Sequence, residues 1–564
     1  MAQSSTHNAA AAPEREQWNG QFGFIMAAVG SAIGLGNIWR FPGVTYENGG
    51  GTFMIPYVVA LLTAGIPMLL LDYSLGHRYR GSAPAVFRRI SKNFEVIGWL
   101  KVMVCFVITA YYAVILAWSL RYMGFSANLA WGDDPTGFFT GEFLHVSEAG
   151  VNEGVVPAIF WPLIIIWVLI AIVTALGVSR GIEKANKFFI PLLVVIFAIF
   201  VIRAVTLPGA ADGLNALFTP DWAALANPNV WVAAYSQIFY SLSVGFGIMV
   251  TYASYLKKKS NIVPTAFVTG FANSSFELLA GLGVFSTLGF MAFQEGVNVS
   301  DLEGLSGVTL SFMTFPKIIS MMPGGAIFGV IFFASLFIAG FTSLLSLTQV
   351  VSAAIQEKFG LGRRLSALIV VLLDGIVSVL IFSTTDGLNA LDVVDNFINS
   401  IGVVGCAVIT CIVMAFVLRR LPLLRAHLNF NSRLHLGKWW YACVAVVVPI
   451  ILGIMMVMTI VSLIREGYGE YPTTFLYKYG WIMILLVVII AFVLAVTPWQ
   501  TPVDDFNAVA YHGAEATAGM DDSPQATGNI GRYTRERMGL APAKNVSVNA
   551  DTDTAQTSQE SKEA

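Results

Sequence analysis

Of the 564 residues, 56% are hydrophobic and only 12% are charged, and the mean hydropathy is +0.71. Such a chain cannot keep its apolar surface out of water by folding alone and needs the bilayer as a second solvent. With 32 basic against 34 acidic residues it lacks the basic footprint of a nucleic-acid binder, so that class is set aside and lipid is taken as a partner.

In chain order, residues 1–17 are polar and Ala-rich, end on Glu14, Arg15 and Glu16, and lack the apolar core of a signal peptide; a cytoplasmic tail is expected. Twelve apolar segments follow, centred near residues 30, 65, 110, 167, 198, 244, 277, 340, 373, 405, 452 and 488. Runs of this length cross the hydrocarbon as helices. The fold class is therefore an all-α membrane protein. Basic residues recur in alternate loops: His77, Arg78, Arg80, Arg88, Arg89 and Lys92; Arg180, Lys184 and Lys187; Lys257 to Lys259; Arg363 and Arg364; Arg419, Arg420, Arg425 and Arg433. The opposite loops carry Asp133, Asp134, Glu142, Glu148, Asp212, Asp221, Glu295 and Asp301. By the positive-inside rule the basic loops and both termini are cytoplasmic, in a bacterial-type inner (plasma) membrane, and the number of spans is even. Residues 501–564 are polar and expected to be disordered. The four cysteines lie in apolar runs without a CxxC pair, and no His cluster stands at metal-ligand spacing, so the cysteines read as packing residues.

Two spans look weak as continuous helices. Span 1 contains Gly30-Ser31-Ala32-Ile33-Gly34-Leu35-Gly36-Asn37, and span 6 contains Ser241-Leu242-Ser243-Val244-Gly245-Phe246-Gly247. Each glycine costs about 1 kcal/mol in a helix interior relative to Ala, and the hydroxyls offer the backbone other partners. Glycines in one such segment would ordinarily mean close helix packing. Two matched segments with hydroxyls favour breaks at mid-membrane, which are tolerated only where they line a cavity or bind an ion and which point to a substrate site.

These segments, with Trp18, Gly34 to Pro42, Glu47 to Gly51, Gly65-Ile66-Pro67, Tyr111-Tyr112, Gln237-Ile238-Phe239 and Ala339 to Ser343, make the sequence from Arg15 to about residue 500 resemble the neurotransmitter:sodium symporters. The likeness is to their prokaryotic amino-acid branch, which includes the bacterial leucine transporter. The resemblance implies a five-plus-five inverted repeat, spans 1–5 in residues 18–210 and spans 6–10 in 228–420, with spans 11 and 12 appended in 438–500. It implies sodium-coupled import of an amino acid by alternating access, with two sodium ions as co-substrates. No motif addresses an accessory subunit.

By the same resemblance, one sodium site would use the Ala32 carbonyl, Asn37, Ser241 and Asn273, completed by the substrate carboxylate. The second would use the carbonyls of Gly30, Ile33 and Ala339 with the hydroxyls of Thr342 and Ser343. Taken singly, each hydroxyl would ordinarily bond a carbonyl of its own helix. The amides of Leu35 and Gly36 and the Tyr112 hydroxyl would take the substrate carboxylate, while span 6 carbonyls and Ser243 would take the ammonium, with Ser241 also among the substrate contacts. Ile108, Tyr240, Phe246 and Leu347 would line the side-chain space, with Ser31, Ala32 and Ser343 as small edges; ordinary aromatic packing is the alternative for Tyr112, Tyr240 and Phe246. Amine-carrying relatives have an Asp where this chain has Gly34, which leaves room for a substrate with its own carboxylate. The uncharged wall fits a neutral side chain, Met or Leu first, with Ala or aromatics as alternatives.

Arg40 with Asp395 would form the outer gate, and Arg15 with Glu357 the inner one, with Trp18 packed into the inner mouth. Relatives usually have Asp in place of Glu357. Gly181 and Pro191 bracket a start of span 5 that the family unwinds. Asp72 and Asp374 are expected to be structural. Glu277 stands one helical turn beyond Asn273, and a carboxyl at mid-membrane needs a reason. Chloride-dependent relatives have a Ser there and hold the anion beside the positions of Tyr57, Gln237, Ser241 and Asn273. A carboxylate at 277 would replace that anion, giving chloride-independent transport with possible proton counter-transport. A channel or an amino-acid receptor would share some of these features, but a membrane enzyme is disfavoured, since the spans show neither HExxH nor a nucleophile–base pair.

Overall fold

The computed structural model describes residues 15–512 apart from Glu303, Ser306 and Asn431. Among these residues there is no β-strand; extended pairing is limited to two isolated bridges, Gly50 with Pro220 and Val155 with Thr384. Ten unbroken elements are long and apolar enough to cross a bilayer. They are span 2 (Gly51–Tyr79), span 3 (Lys92–Ser126), span 4 (Pro157–Leu176), span 5 (Val178–Val205), span 7 (Ile262–Glu295), span 8 (Gly325–Phe359), span 9 (Arg363–Phe382), span 10 (Gly387–Val417), span 11 (Trp439–Arg465) and span 12 (Thr473–Val496). Span 1 is a pair, Gln21–Ala32 and Leu35–Glu47, bent by 51° at its break. Span 6 is also a pair, Pro228–Ser241 and Ile248–Ala253, interrupted over 242–247. Eleven of the expected segment centres fall within helices of these spans, and the twelfth, near 244, falls in the interruption of span 6.

Composition decides which spans face lipid. Spans 11 and 12 expose Ile454, Val457, Val493 and Val496, as helices bordered by hydrocarbon do. Span 3, by contrast, buries Tyr111, Tyr112 and Trp118 at the centre of the bundle. Span 2 takes a π turn at Leu61–Gly65 just before Pro67, where the proline ring would crowd an ordinary preceding turn. Span 5 is helical throughout, beginning as a π turn over Val178–Ile182, so the stretch between Gly181 and Pro191 is wound here. A Cβ on Gly181 would strike the Val173 carbonyl, so glycine is what lets spans 4 and 5 meet.

The basic loops gather at one end of the bundle and are tied there by Glu95. This carboxylate is buried and takes Lys358 Nζ at 2.7 Å and Arg88 Nη1 at 2.8 Å. It also accepts from the indoles of Trp99 at 3.0 Å and Trp499 at 2.8 Å. One carboxylate thus joins the start of the third span to the ends of the eighth and the last.

The expected disorder from Thr501 onward is corrected for residues 501–512. Val503–Asp505 is a 3₁₀ turn and Ala508–His512 a short helix, docked on the basic end by Asp504 to Arg88 at 3.0 Å and Lys92 at 3.1 Å. Composition missed this because the segment is held by partners distant in sequence rather than by a core of its own. The remainder of the tail, and residues 1–14, lie outside the described residues.

Lys358 is fully buried, so removing its counter-charge leaves an uncompensated buried cation. Glu95→Ala should destabilise the protein by about 3–5 kcal/mol, and Glu95→Gln by less because it keeps a hydrogen-bond acceptor. Thermal unfolding in detergent, followed by tryptophan fluorescence, checks the order.

Candidate substrate and sodium site

The two breaks face each other at mid-bundle, and their backbone groups are satisfied across the gap. After Ala32, Ile33 and Gly34 take extended conformations before the helix resumes at Leu35. The Gly34 amide donates to Asn37 Oδ1 at 2.9 Å, and the Leu35 amide to the Tyr112 hydroxyl at 3.1 Å. The Ser31 carbonyl accepts from Ser343 Oγ at 2.9 Å and Ser243 Oγ at 3.0 Å. In span 6, Gly245 and Gly247 have φ of +89° and +87°, and Ser243 has φ of +52°, a left-handed conformation uncommon for serine. Its bond to Ser31 holds it there.

Asp72 and Lys101 clamp the second break. Asp72 Oδ2 accepts from the Gly245 amide at 3.3 Å, and Lys101 Nζ donates to the Gly245 carbonyl at 2.8 Å. The thiol of Cys105 lies 3.1 Å from the Phe246 carbonyl. Asp72 therefore has the structural role expected of it, while Lys101 was not singled out from the sequence. Its position on a buried face of span 3 was the available signal. Asp374 is buried without a hydrogen-bond partner among the described residues.

Between the breaks lies a cavity of about 40 Å³ for the centres of water-sized molecules, the room of roughly three waters. Its wall comprises Ser31, Ala32, Gly34, Gly36, Asn37, Ile108, Tyr112, Tyr240, Ser241, Ser243, Phe246, Ile248, Ser343, Leu347 and Asn399. No wall residue is charged. All the expected substrate residues line it except Leu35, whose amide reaches the wall through Tyr112. Ile248 and Asn399 are additions. Asn399 follows Asp395 by one turn and bonds its carboxylate at 2.8 Å, so the i,i+4 spacing could have pointed to it. Glycine at 34 is required by space: a Cβ would lie 2.8 Å from both Ser343 Oγ and the Tyr112 hydroxyl.

The side chains expected at the first sodium site form one chain: Asn37 Nδ2 donates to Asn273 Oδ1 at 2.9 Å, and Asn273 Nδ2 to Ser241 Oγ at 2.9 Å. Next to it, Glu277 is fully buried and accepts from Gln237 Nε2 at 2.7 Å and from the Tyr57 hydroxyl. For the second site, Thr342 Oγ1 donates within its own helix to Ala339 at 3.0 Å and Ile338 at 3.2 Å. That is the bland arrangement, although it keeps the hydroxyl beside the Ala339 carbonyl. Ser343 instead crosses to span 1, and Gly30 packs on Asn186 of span 5.

The two ends of the site differ. At the basic end Arg15 pairs with Glu357, which also takes the Ser82 amide at 2.8 Å and hydroxyl at 2.7 Å. Trp18 is buried there, donates to the Tyr252 carbonyl at 2.9 Å and meets Phe24, Tyr252 and Tyr255 edge-on. At the opposite end the expected Arg40–Asp395 ion pair is not made. Arg40 lies over the Tyr240 ring at 4.4 Å and donates to Ser236 at 3.3 Å. Asp395 is held instead by the Tyr111 hydroxyl at 2.5 Å and by Asn399. Each charge has a competing partner on its own side.

The sodium:neurotransmitter symporter family profile matches residues 15–135 and 132–501. The chain belongs to this family of sodium-coupled transporters. It is 42% identical over 486 residues to an uncharacterized sodium-dependent transporter of Methanocaldococcus jannaschii, covering 86% of this chain and 97% of the relative. A sodium- and chloride-dependent GABA transporter of Drosophila melanogaster is 32% identical, covering 62% of this chain and 40% of its own length. Among solved structures, the crystal structure of MhsT in complex with L-phenylalanine superposes with a TM-score of 0.67 at 29% identity, covering 79% of this chain and all of MhsT. The symporter thus has twelve transmembrane helices, in a five-plus-five inverted repeat whose first helices, spans 1 and 6, are the broken ones.

Gly34→Asp should abolish solute binding in the symporter, because the new side chain fills the gap between Tyr112 and Ser343 and puts a charge into an uncharged wall. Size-exclusion chromatography verifies folding, and radiolabelled-substrate binding reads the loss.

Proposed function

We propose that the symporter imports a neutral hydrophobic amino acid with two sodium ions by alternating access, without chloride and with a proton carried back. The observation that supports this most is the arrangement around Asn273. On one side lies an uncharged cavity between two helix breaks, and on the other the buried carboxyl of Glu277.

A zwitterion suits this cavity. Its carboxylate is drawn to the amides at the start of the second half of span 1 and to the Tyr112 hydroxyl, and its ammonium to the carbonyls ending the first half of span 6, as helix-end dipoles favour. A side-chain carboxylate at position 34 would repel the substrate's own by about 4 kcal/mol at 4 Å and an effective dielectric of 20. Ile108, Phe246, Ile248 and Leu347 favour an aliphatic side chain the size of Met or Leu, and the L-phenylalanine bound to MhsT supports aromatics as the larger alternative. Uptake into proteoliposomes, competed in turn by Gly, Ala, Met, Leu, Phe and Trp, ranks them.

Asn37, Ser241, Asn273 and the Ala32 carbonyl supply hard oxygens for the first sodium, and the substrate carboxylate completes its shell, so ion and solute bind as one. Gly30, Ile33, Ala339, Thr342 and Ser343 supply the second. The paired Arg15–Glu357 and buried Trp18, against the unpaired Arg40 and Asp395, fit a carrier closed on the cytoplasmic side and ready to receive solute from outside. With two sodium ions, uptake should depend sigmoidally on sodium with a Hill coefficient above one. Thr342→Ala combined with Ser343→Ala should cripple uptake, and full sodium-driven transport in that double variant would remove the second site.

Glu277 occupies the place where an anion would sit among Tyr57, Gln237, Ser241 and Asn273. Two sodium ions and a zwitterion bring two positive charges into a low-dielectric site, where an ionised Glu277 offsets one of them. On the empty return the bare carboxylate is costly, and protonation removes the cost. Wild-type uptake should persist when gluconate replaces chloride, whereas Glu277→Ser should require chloride. A pH dye inside the vesicles should report alkalinisation during wild-type uptake. Loss of wild-type uptake in gluconate would sink the assignment.

A further inference from the structure

Three of the chain's six histidines, one of them 350 positions from the next, converge at the basic end. His77 ends span 2, His427 lies on the helix Leu421–Phe430 after span 10, and His512 closes the docked tail. All three are at most 5% exposed, and one ring nitrogen from each lies within 4.8 Å of the others. We propose that this cluster is a binding site for a divalent transition metal of the zinc type, which fastens the tail across the inner gate.

Hydrogen bonding fixes the donor atoms. His77 Nε2 is 3.0 Å from the Lys257 carbonyl and His512 Nε2 is 3.1 Å from the His77 carbonyl. Carbonyls only accept, so both nitrogens carry the hydrogen and Nδ1 of each ring has the free lone pair. A metal-ligating histidine is ordinarily oriented in this way, its second nitrogen donating to a backbone carbonyl. His427 Nε2 lies 2.9 Å from His77 Nδ1, and without metal it must donate its hydrogen there. Two nitrogens bound tetrahedrally at 2.0–2.1 Å stand about 3.3 Å apart, so the His77 and His427 rings need to separate by only a few tenths of an ångström, while His512 closes in from within 4.8 Å. His427 would then carry its hydrogen on Nδ1, and Arg78 Nη1, 3.5 Å away, would turn aside. Three imidazoles and a water make a four-coordinate zinc site, and borderline divalent ions suit imidazole. The Arg78 and Arg80 guanidiniums nearby weaken binding of a dication, so micromolar affinity is expected.

The site's position gives it a consequence for transport. Tyr511, beside His512, rests against Arg80 at 5.1 Å and Lys258 at 5.7 Å, and the Thr501 hydroxyl donates at 2.6 Å to the carbonyl of Glu357, the inner-gate carboxylate. The tail thus spans the ends of spans 2, 6 and 8 and the helix after span 10. Inward opening has to separate some of these elements, and a metal shared by three of the joined pieces would oppose it.

The test uses tag-free, EDTA-stripped, full-length protein. Calorimetric titration with ZnSO₄ should give one ion per chain, and CoCl₂ should give the visible absorption of tetrahedral Co²⁺. His512→Ala should weaken binding at least tenfold, with sodium-driven uptake unchanged when zinc is absent. Zinc should protect the tail from limited proteolysis and slow uptake by the wild type, and do neither in the variant; His427→Gln provides a second check. Absence of binding, or equal binding in both variants, would overturn the site. Binding without tail protection and inhibition would overturn the fastening role.

Discussion

A peptide group in hydrocarbon must find a partner, and this one requirement shapes the centre of the molecule. Where spans 1 and 6 stop being helical, the freed amides and carbonyls cannot be left to lipid. Span 3 therefore supplies Tyr112, Lys101 and Cys105, span 2 supplies Asp72, and span 8 supplies Ser343. The two breaks also serve each other, through Ser243 and the Ser31 carbonyl. What could have been two defects becomes one polar centre with a cavity between them. Because each break leans on three or more neighbours, movement of any one of those spans is felt at the site.

The same economy explains where charge is found. Buried ionisable groups are costly, and several of those here are held at a break or beside it: Asp72 of span 2 and Lys101 of span 3 bond the Gly245 backbone of span 6, and Glu277 lies beside Asn273. At the basic end Glu95 gathers Lys358, Arg88 and two tryptophan indoles while Arg15 pairs with Glu357. At the other end Arg40 and Asp395 each prefer a nearer partner. The basic end thus holds a made ion pair, and the opposite end holds two charges that are each bonded elsewhere.

Fold class and span count were legible in the sequence because hydrophobic run length is set by bilayer thickness, and bilayer thickness does not depend on tertiary packing. The breaks were legible for a similar local reason: glycines at 34, 36, 245 and 247 weaken a helix whatever surrounds them. Most residues of the cavity wall between the breaks could be named through the family resemblance, and the geometry adds Ile248 and Asn399.

What tertiary structure alone decided are matters of which partner wins. Sequence offered Asp395 to Arg40, but Tyr111 and Asn399 lie closer to the carboxylate and Tyr240 lies under the guanidinium. It offered a polar, coreless tail, yet residues 501–512 fold onto His77, Arg88 and Lys92 between the end of span 2 and the start of span 3, Lys258 after span 6 and His427 after span 10. It showed no histidines at ligand spacing, since ligand spacing is a local pattern and His77, His427 and His512 meet only when spans 2 and 10 and the tail are packed. Run length and glycine content act within a few residues and can be read in one dimension; the choice among competing charged and polar partners depends on distances that exist only after the chain has folded.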